Sequence, residues 1–414
     1  MGSALWIAIS GLNASSKQMD VIGNNIANSS TMGFKTGKTY FANVLSQSLS
    51  GGASGAMQIG QGVTVADVAT QFSQGSLEST SSGLDLAIDG GGFFVVEDAE
   101  GSQYFTRAGA FHIDGEGYLV DIGNNRVQGY APSSPTLGDL NTRNSQSAPD
   151  ASANFSVGLN LDARTDTGGV FNSSQTVYDT LGTAHTLTAT YTKTAAAGNW
   201  GLAVTLDGAA AASQNYTGFI FDGNGDLDKV YNAGNLATGG VDPANITVSF
   251  TGLANGATIG TAGTLTWDLT SATHETISGY AASSTVKALT NDGYPSGLLR
   301  SLSVEKDGNI SGFFTNGQTA SLGQIALADF PNPWGLKKMG SNLFSSTLGS
   351  GQAIINTPGA GGLGEVTSNA LEMSNTDLGT EFINMITAQR AYQASAKVIT
   401  TADDMMSALM NTKR

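Results

Sequence analysis

The chain has 414 residues, a formal net charge of −15 and only 12% charged residues, so it lacks the basic surface that nucleic acid or an anionic membrane requires. It contains no cysteine, which excludes structural disulfides, thiolate metal sites and cysteine nucleophiles. No run of about 18 apolar residues occurs, and no basic n-region precedes an apolar stretch, so neither a transmembrane helix nor a cleavable signal peptide is expected.

The first predicted element is a helix from about Ser3, read as its N-cap, to about Ala27. Leu5, Leu12, Met19 and Ile26 recur at seven-residue spacing, with Ile9 at an alternate position. Asn24, Asn25 and Asn28 loosen its end and Gly33 closes the segment. The Gly/Ser/Gln-rich stretch 46–62 reads as a linker or irregular arm. From Val63 to Tyr130, short apolar runs such as Leu86 to Ile88 and Phe93 to Val96 alternate with turn residues. Asp89-Gly90 and Asp114-Gly115 are hairpin signals. Pro132, Pro135 and Pro149 fall in one Ser/Asn-rich stretch, read as a domain boundary.

The clearest β-segment runs from about Asn154 to Tyr280. Leu187, Ala189 and Tyr191 face one way and Thr188, Thr190 and Thr192 the other; Ile246, Val248 and Phe250 alternate likewise, as do Leu265, Trp267 and Leu269. This period of two means half-buried antiparallel strands. A second β-region follows from Thr285 to about Phe344, then a Gly-rich stretch to Gly364. The last helix is placed from Ser374, which forms a capping box with Asp377, to the dipole-complementing Lys413 and Arg414. Leu378, Met385, Tyr392, Ile399 and Met406 repeat every seven residues, with Phe382, Ala396 and Met410 between them.

These elements predict a mainly β protein with long terminal α-helices. Two nested antiparallel β domains, sandwich- or barrel-like, stand on a coiled-coil base made by the N- and C-terminal helices. The expected division is 1–30 plus 372–414 for the helical base and 31–75 plus 350–371 for an extended arm. Residues 76–148 plus 284–349 make the first β domain, and 149–283 the inserted outer one. Helices that carry apolar seams at both ends must bury them, which points to polymerisation. Alone in water such helices are marginal, so both ends are expected to be mobile in the monomer and ordered on assembly.

No catalytic or cofactor site is read from the chain. His112, His185 and His274 share no spacing, and no H-E-x-x-H, G-x-S-x-G or P-loop occurs. Asp222-Gly-Asn-Gly-Asp-Leu-Asp228 spaces oxygens like a calcium loop. Leu227 replaces the required glycine and Ala233 the bidentate glutamate, so it reads as a hairpin turn and no metal is expected. Gly359-Ala-Gly-Gly-Leu-Gly364 fits the dinucleotide fingerprint by letter only, having no βαβ context.

Ile9-Ser-Gly-Leu-Asn-Ala14 followed by Asn24-Asn-Ile-Ala-Asn-Ser-Ser-Thr-Met-Gly-Phe-Lys35 is the most specific of several segments that resemble the axial proteins of the bacterial flagellum, the hook and rod family. Ala87-Ile-Asp-Gly-Gly-Gly-Phe-Phe-Val-Val96, Tyr104-Phe-Thr-Arg-Ala-Gly-Ala-Phe111, Gly117-Tyr-Leu-Val120 and Gln128-Gly-Tyr130 look like further blocks. On the return leg, Phe330-Pro-Asn-Pro-Trp-Gly-Leu336, Leu371-Glu-Met-Ser-Asn-Thr-Asp-Leu378 and Ala388-Gln-Arg-Ala-Tyr-Gln-Ala394 match. The likeness is weaker within about 150–280. Asp89 and Thr376 stand where the family often has asparagine and valine. Length and Val177-Tyr-Asp-Thr-Leu-Gly-Thr-Ala-His185 look like the hook members rather than the shorter rod members.

The resemblance implies a structural subunit of a curved tube, a universal joint that passes motor torque to the filament around an export channel. The implied assembly residues are Leu5, Ile9, Leu12, Met19, Asn24, Asn25, Ile26, Asn28 and Phe34 at the start, and Leu378, Phe382, Met385, Tyr392, Ile399 and Met406 at the end. Implied partners are further copies of the chain, the flagellar rod, the hook cap scaffold, hook–filament junction proteins and the export apparatus. The implied place is the extracellular flagellar hook or basal body, reached without a cleaved signal peptide. A distal rod or other axial subunit is the nearest rival. A secreted β-rich binding module and a secreted hydrolase are rivals of other classes.

Overall fold

The computed structural model describes residues 2–44, 47–49, 57–132, 134–142, 146–232, 239–253, 255–269 and 276–412. It is mostly β-structure with one long helix at each end, α1 (Gly2–Ala27) and α2 (Leu378–Thr412). The chain divides into two compact units. Unit 1 comprises residues 1–145, 301–312 and 319–414, and unit 2, inserted within it, residues 146–300 and 313–318.

In unit 1, α1 is free of proline and rich in Ala and Ile, and it starts at Gly2 with Ser3 already helical. It ends at the Asn-rich segment, where Asn28 donates its side-chain amide to the Asn24 carbonyl (2.9 Å). Gly33 then turns the chain with φ +67°; a Cβ there would come within 2.5 Å of the Ala108 nitrogen. Gly37–Asn43 pairs antiparallel with Val63–Thr70 as a two-stranded ribbon, and Gln47–Leu49 pairs with Met57–Ile59. The described part of the stretch expected to be irregular is therefore hairpin; residues 45, 46 and 50–56 lie outside the described residues.

The outgoing and returning legs of unit 1 interlock. Phe93–Glu97 pairs with Gln103–Thr106 and Arg126–Tyr130, and from the return leg with Leu327–Asp329. Leu86–Asp89 takes Glu365–Ser368 as partner, and Leu77–Ser79 takes Ala370–Glu372. Phe93, Phe94, Val95 and Val96 are all buried because both faces of this strand are covered. Phe94 and Val96 join Leu86, Ile88, Ile325 and Val366 on one side. Phe93 and Val95 join Phe105, Phe330 and Phe344 on the other, where Phe105 and Phe330 stack edge to face with centroids 4.7 Å apart.

Unit 2 is a sandwich of two sheets around one core. Val170–Tyr178, Ala184–Lys193, Asn199–Leu206, Gly218–Phe221 and Leu227–Tyr231 form an antiparallel meander. The facing sheet centres on Asn154–Asn160. This strand runs antiparallel to Thr285–Asn291 but parallel to Thr264–Trp267 and Ile277–Ser278, since the chain returns to it from the far side of the sandwich. Thr285–Asn291 therefore edges the inserted unit, where the sequence pattern placed it on the returning leg. Leu187, Ala189 and Tyr191 point into the core with Trp200, Phe219 and Trp267, in the predicted alternation. Asp222–Asp228 is a hairpin turn, its Asp222 carboxylate accepting the backbone N–H groups of Asn224 and Asp226. His274 and Ala233 lie outside the described residues.

Candidate assembly surface

The terminal helices pack antiparallel. The Asn25 side-chain amide donates to Glu381 Oε1 at 3.2 Å, and a Cβ on Gly11 would sit 3.1 Å from Ser395 Oγ. Residue 25 thus lies beside 381 and residue 11 beside 395. By that register Gly2 is level with about residue 404, so the last turns of α2 extend beyond α1.

On α1 the contact is made mostly by small side chains. Ala8, Gly11, Ala14, Ser15, Ile22 and Asn25 line the inner face of α1; Ala388, Ser395 and Ala402 line that of α2. The heptad residues Leu5, Ile9, Leu12, Met19 and Ile26 flank this seam and are half-buried. Met385, Tyr392 and Ile399 are half-buried on the paired face of α2. Leu378, Phe382 and Met406 stay exposed, along with Ile383, Ile386, Met405 and, at 71%, Met410; Trp6 on α1 is 70% exposed. A single chain therefore ends in two helices whose larger apolar groups are mostly uncovered, an unusual state for a monomer.

The Asn-rich block is largely committed within the chain. Asn25, 1% exposed, accepts the Gly37 N–H at 2.9 Å and donates to the Gly37 carbonyl, fixing the ribbon to α1. Asn28 binds Asn24 and Thr31, Asn24 is exposed, and Phe34 is buried beneath the Lys338 ammonium. α2 starts at Leu378 rather than Ser374, because Asn375 is used elsewhere: its side chain accepts the Thr36 N–H and donates to the Gln71 carbonyl. Asp377 is the cap, accepting from the Gly379 N–H and the Thr380 hydroxyl, and the Thr380 bond holds its carboxyl below the usual range. Lys413 and Arg414 lie outside the described residues.

Below the helices a buried ionic cluster ties five segments of chain together, a feature no residue pattern announced. Glu372 accepts from the Lys35 ammonium (2.5 Å), the Arg107 guanidinium (3.3 Å) and the Gly75 N–H (2.8 Å). Lys35 also donates to the Ser73 carbonyl, and Arg107 to the Gly90 carbonyl. Burial lowers the pKa of both bases, and the Glu372 charge opposes that shift. The only hint in sequence is position: Lys35, Arg107 and Glu372 each sit inside a flagellar-like block. Among the described residues no group of three or more His, Asp or Glu side chains could hold a metal ion, and no helix is long and apolar enough to cross a membrane.

Family models match in chain order: flagella basal body rod protein over 5–35, the flagellar hook protein FlgE/F/G D1 domain over 87–160, the flagellar basal body protein FlaE D2 domain over 139–294, and the flagellar basal body rod FlgEFG protein C-terminal over 367–412. The flagellar hook protein FlgE of Escherichia coli is 35% identical, with 98% of each chain covered. The chain belongs to the flagellar hook protein family. The hook proteins of Borreliella burgdorferi and Treponema pallidum are 33% and 34% identical, each with both chains covered in full. As a hook-family member the chain is a structural subunit of the flagellar hook, and none of these four family models is catalytic.

Proposed function

We propose that the chain polymerises through its helical ends into a curved tube that encloses the export channel and transmits motor torque as a universal joint. The observation that carries this reading is the division of labour on α1 and α2. Small residues close the intramolecular seam, while Trp6, Phe382, Ile383, Ile386 and the methionines of the last turns remain outside it. Apolar area removed from water contributes about 25 cal/mol per Å², so neighbouring helices that cover these side chains provide a strong association. Residues 1–30 with 372–414 then form the inner layer, 31–75 with 350–371 the arm, 76–145 with 301–312 and 319–349 the wall, and 146–300 with 313–318 the outer surface. The helix-bearing ends also meet the rod, the cap scaffold and the junction proteins. The subunit reaches the tip through the flagellar export apparatus. The test is electron microscopy of the purified full chain, and of a version lacking both helices, concentrated in a kosmotropic salt. Curved tubes from the full chain alone support the reading. Tubes from the truncated chain overturn the role of the ends, and straight rods overturn the universal joint.

A further inference from the structure

One largely buried lysine in unit 2 has no counter-charge. The strand Ala184–Lys193 buries every second side chain, so Lys193 follows Leu187, Ala189 and Tyr191 onto the core side and is only 8% exposed. Its ammonium makes no hydrogen bond to, and lies within 4 Å of no carboxylate of, the described residues. The nearest compensation is the Trp200 ring, 5.3 Å from Nζ to centroid. The aliphatic stem of Lys193 is buried while its ammonium opens onto a cleft, and burial lowers its pKa with no opposing group.

Lys193 lines a cleft of ~320 Å³ at one end of the sandwich, with Trp200, Phe221, Asn224 and Tyr280 among its walls. Asp222 also borders the cleft, but its carboxylate is occupied within its own turn by Asn224 and the Asp226 N–H. We propose that this cleft takes a carboxylate side chain from the outer unit of a second copy of the chain. Charge complementarity selects that occupant. Residues 146–300 carry twelve acidic against five basic side chains, so any neighbouring copy presents acids in excess, while Arg164 is already taken by Asp162. The inference rests on the chain being a polymer subunit.

The test compares hooks assembled in cells from the full chain, from Lys193→Met and from Lys193→Arg, together with the corresponding depolymerised monomers. Lys193→Met keeps the buried stem and removes a partly desolvated charge, so the monomer should unfold at the same or a higher temperature. Its hooks should nevertheless dissociate about tenfold faster or more at a fixed temperature. Lys193→Arg should stay within about threefold of the parent, and salt should speed dissociation of the parent but not of Lys193→Met. Lys193→Met hooks that form tubes as durable as the parent's would overturn the inference while leaving the polymer reading intact. Saturable binding of acetate by the parent monomer, lost in Lys193→Met, would support the cleft as a carboxylate site. Failure of the parent chain itself to form tubes would count against the polymer reading instead.

Discussion

Replacing Glu372 with glutamine should loosen the base of unit 1 more than any surface change. The Lys35 and Glu372 side chains are fully buried and that of Arg107 is 4% exposed, so Glu372→Gln keeps the shape but leaves two cations without their shared carboxylate. Breaking a buried pair from one side costs about 3–5 kcal/mol. For a unit of this size that lowers the thermal midpoint by about 10 °C. The loss should depend on pH. Burial already lowers the Lys35 pKa, and without Glu372 nothing opposes it, so Lys35 sheds its proton more readily and the penalty shrinks as pH rises. Scanning calorimetry of the full chain provides the assay, with the unit 2 transition as an internal reference. A unit 1 midpoint within about 2 °C of the parent from pH 6 to 9 would refute the cluster's role.

Other predictions concern unit 2 and the helices. His185 bridges Asp207 (2.6 Å) and the fully buried Asp179 (3.3 Å). Burial alone would lower its pKa, but the bonds to Asp207 and Asp179 outweigh burial and raise it; Asp179 itself is held at about 2, its bonds from Asn255, Thr183 and His185 overcoming burial. Its raised pKa makes the His185 contribution complete below about pH 6.5 and lost as pH rises through the folded value. The Asp179 contribution is complete above about pH 4 and lost towards pH 2. Urea midpoints read from Trp200 and Trp267 fluorescence should thus be highest between those limits, and His185→Asn should flatten the alkaline arm. Gly11→Leu should overpack the seam against Ser395 by about 1–3 kcal/mol and prevent tube formation while unit 2 still unfolds at its usual midpoint. Amide exchange in 5–26 and 378–410 should be fast in a verified monomer and slow in the polymer; strong protection in the monomer would contradict the ordering of the ends on assembly.

Much of the fold was legible because the signals were periodic. The heptads announced both helices, and the alternation of Leu187, Ala189 and Tyr191 announced the sandwich core. The phase of the helix seam was not legible. Pattern reading weights large apolar residues and so selected Leu5, Leu12 and Met19, whereas close helix contact uses Ala8, Gly11 and Ser15, which look neutral in a sequence. The start of α2 was missed because Asn375, free in the linear pattern, is spent on Thr36 and Gln71. The Glu372 cluster was missed because its members come from distant segments and each alone reads as a surface charge.

The account depends most on neighbouring copies covering the outer face of α2. Because the chain has no cysteine, Phe382→Cys supplies a single thiol at a position that is 51% exposed in the lone subunit. Its maleimide labelling rate should be measured in monomer, in assembled tubes and after heating the tubes apart. The account predicts rapid labelling in monomer, labelling slowed at least tenfold in tubes, and recovery on dissociation. Equal rates in monomer and tube would contradict it.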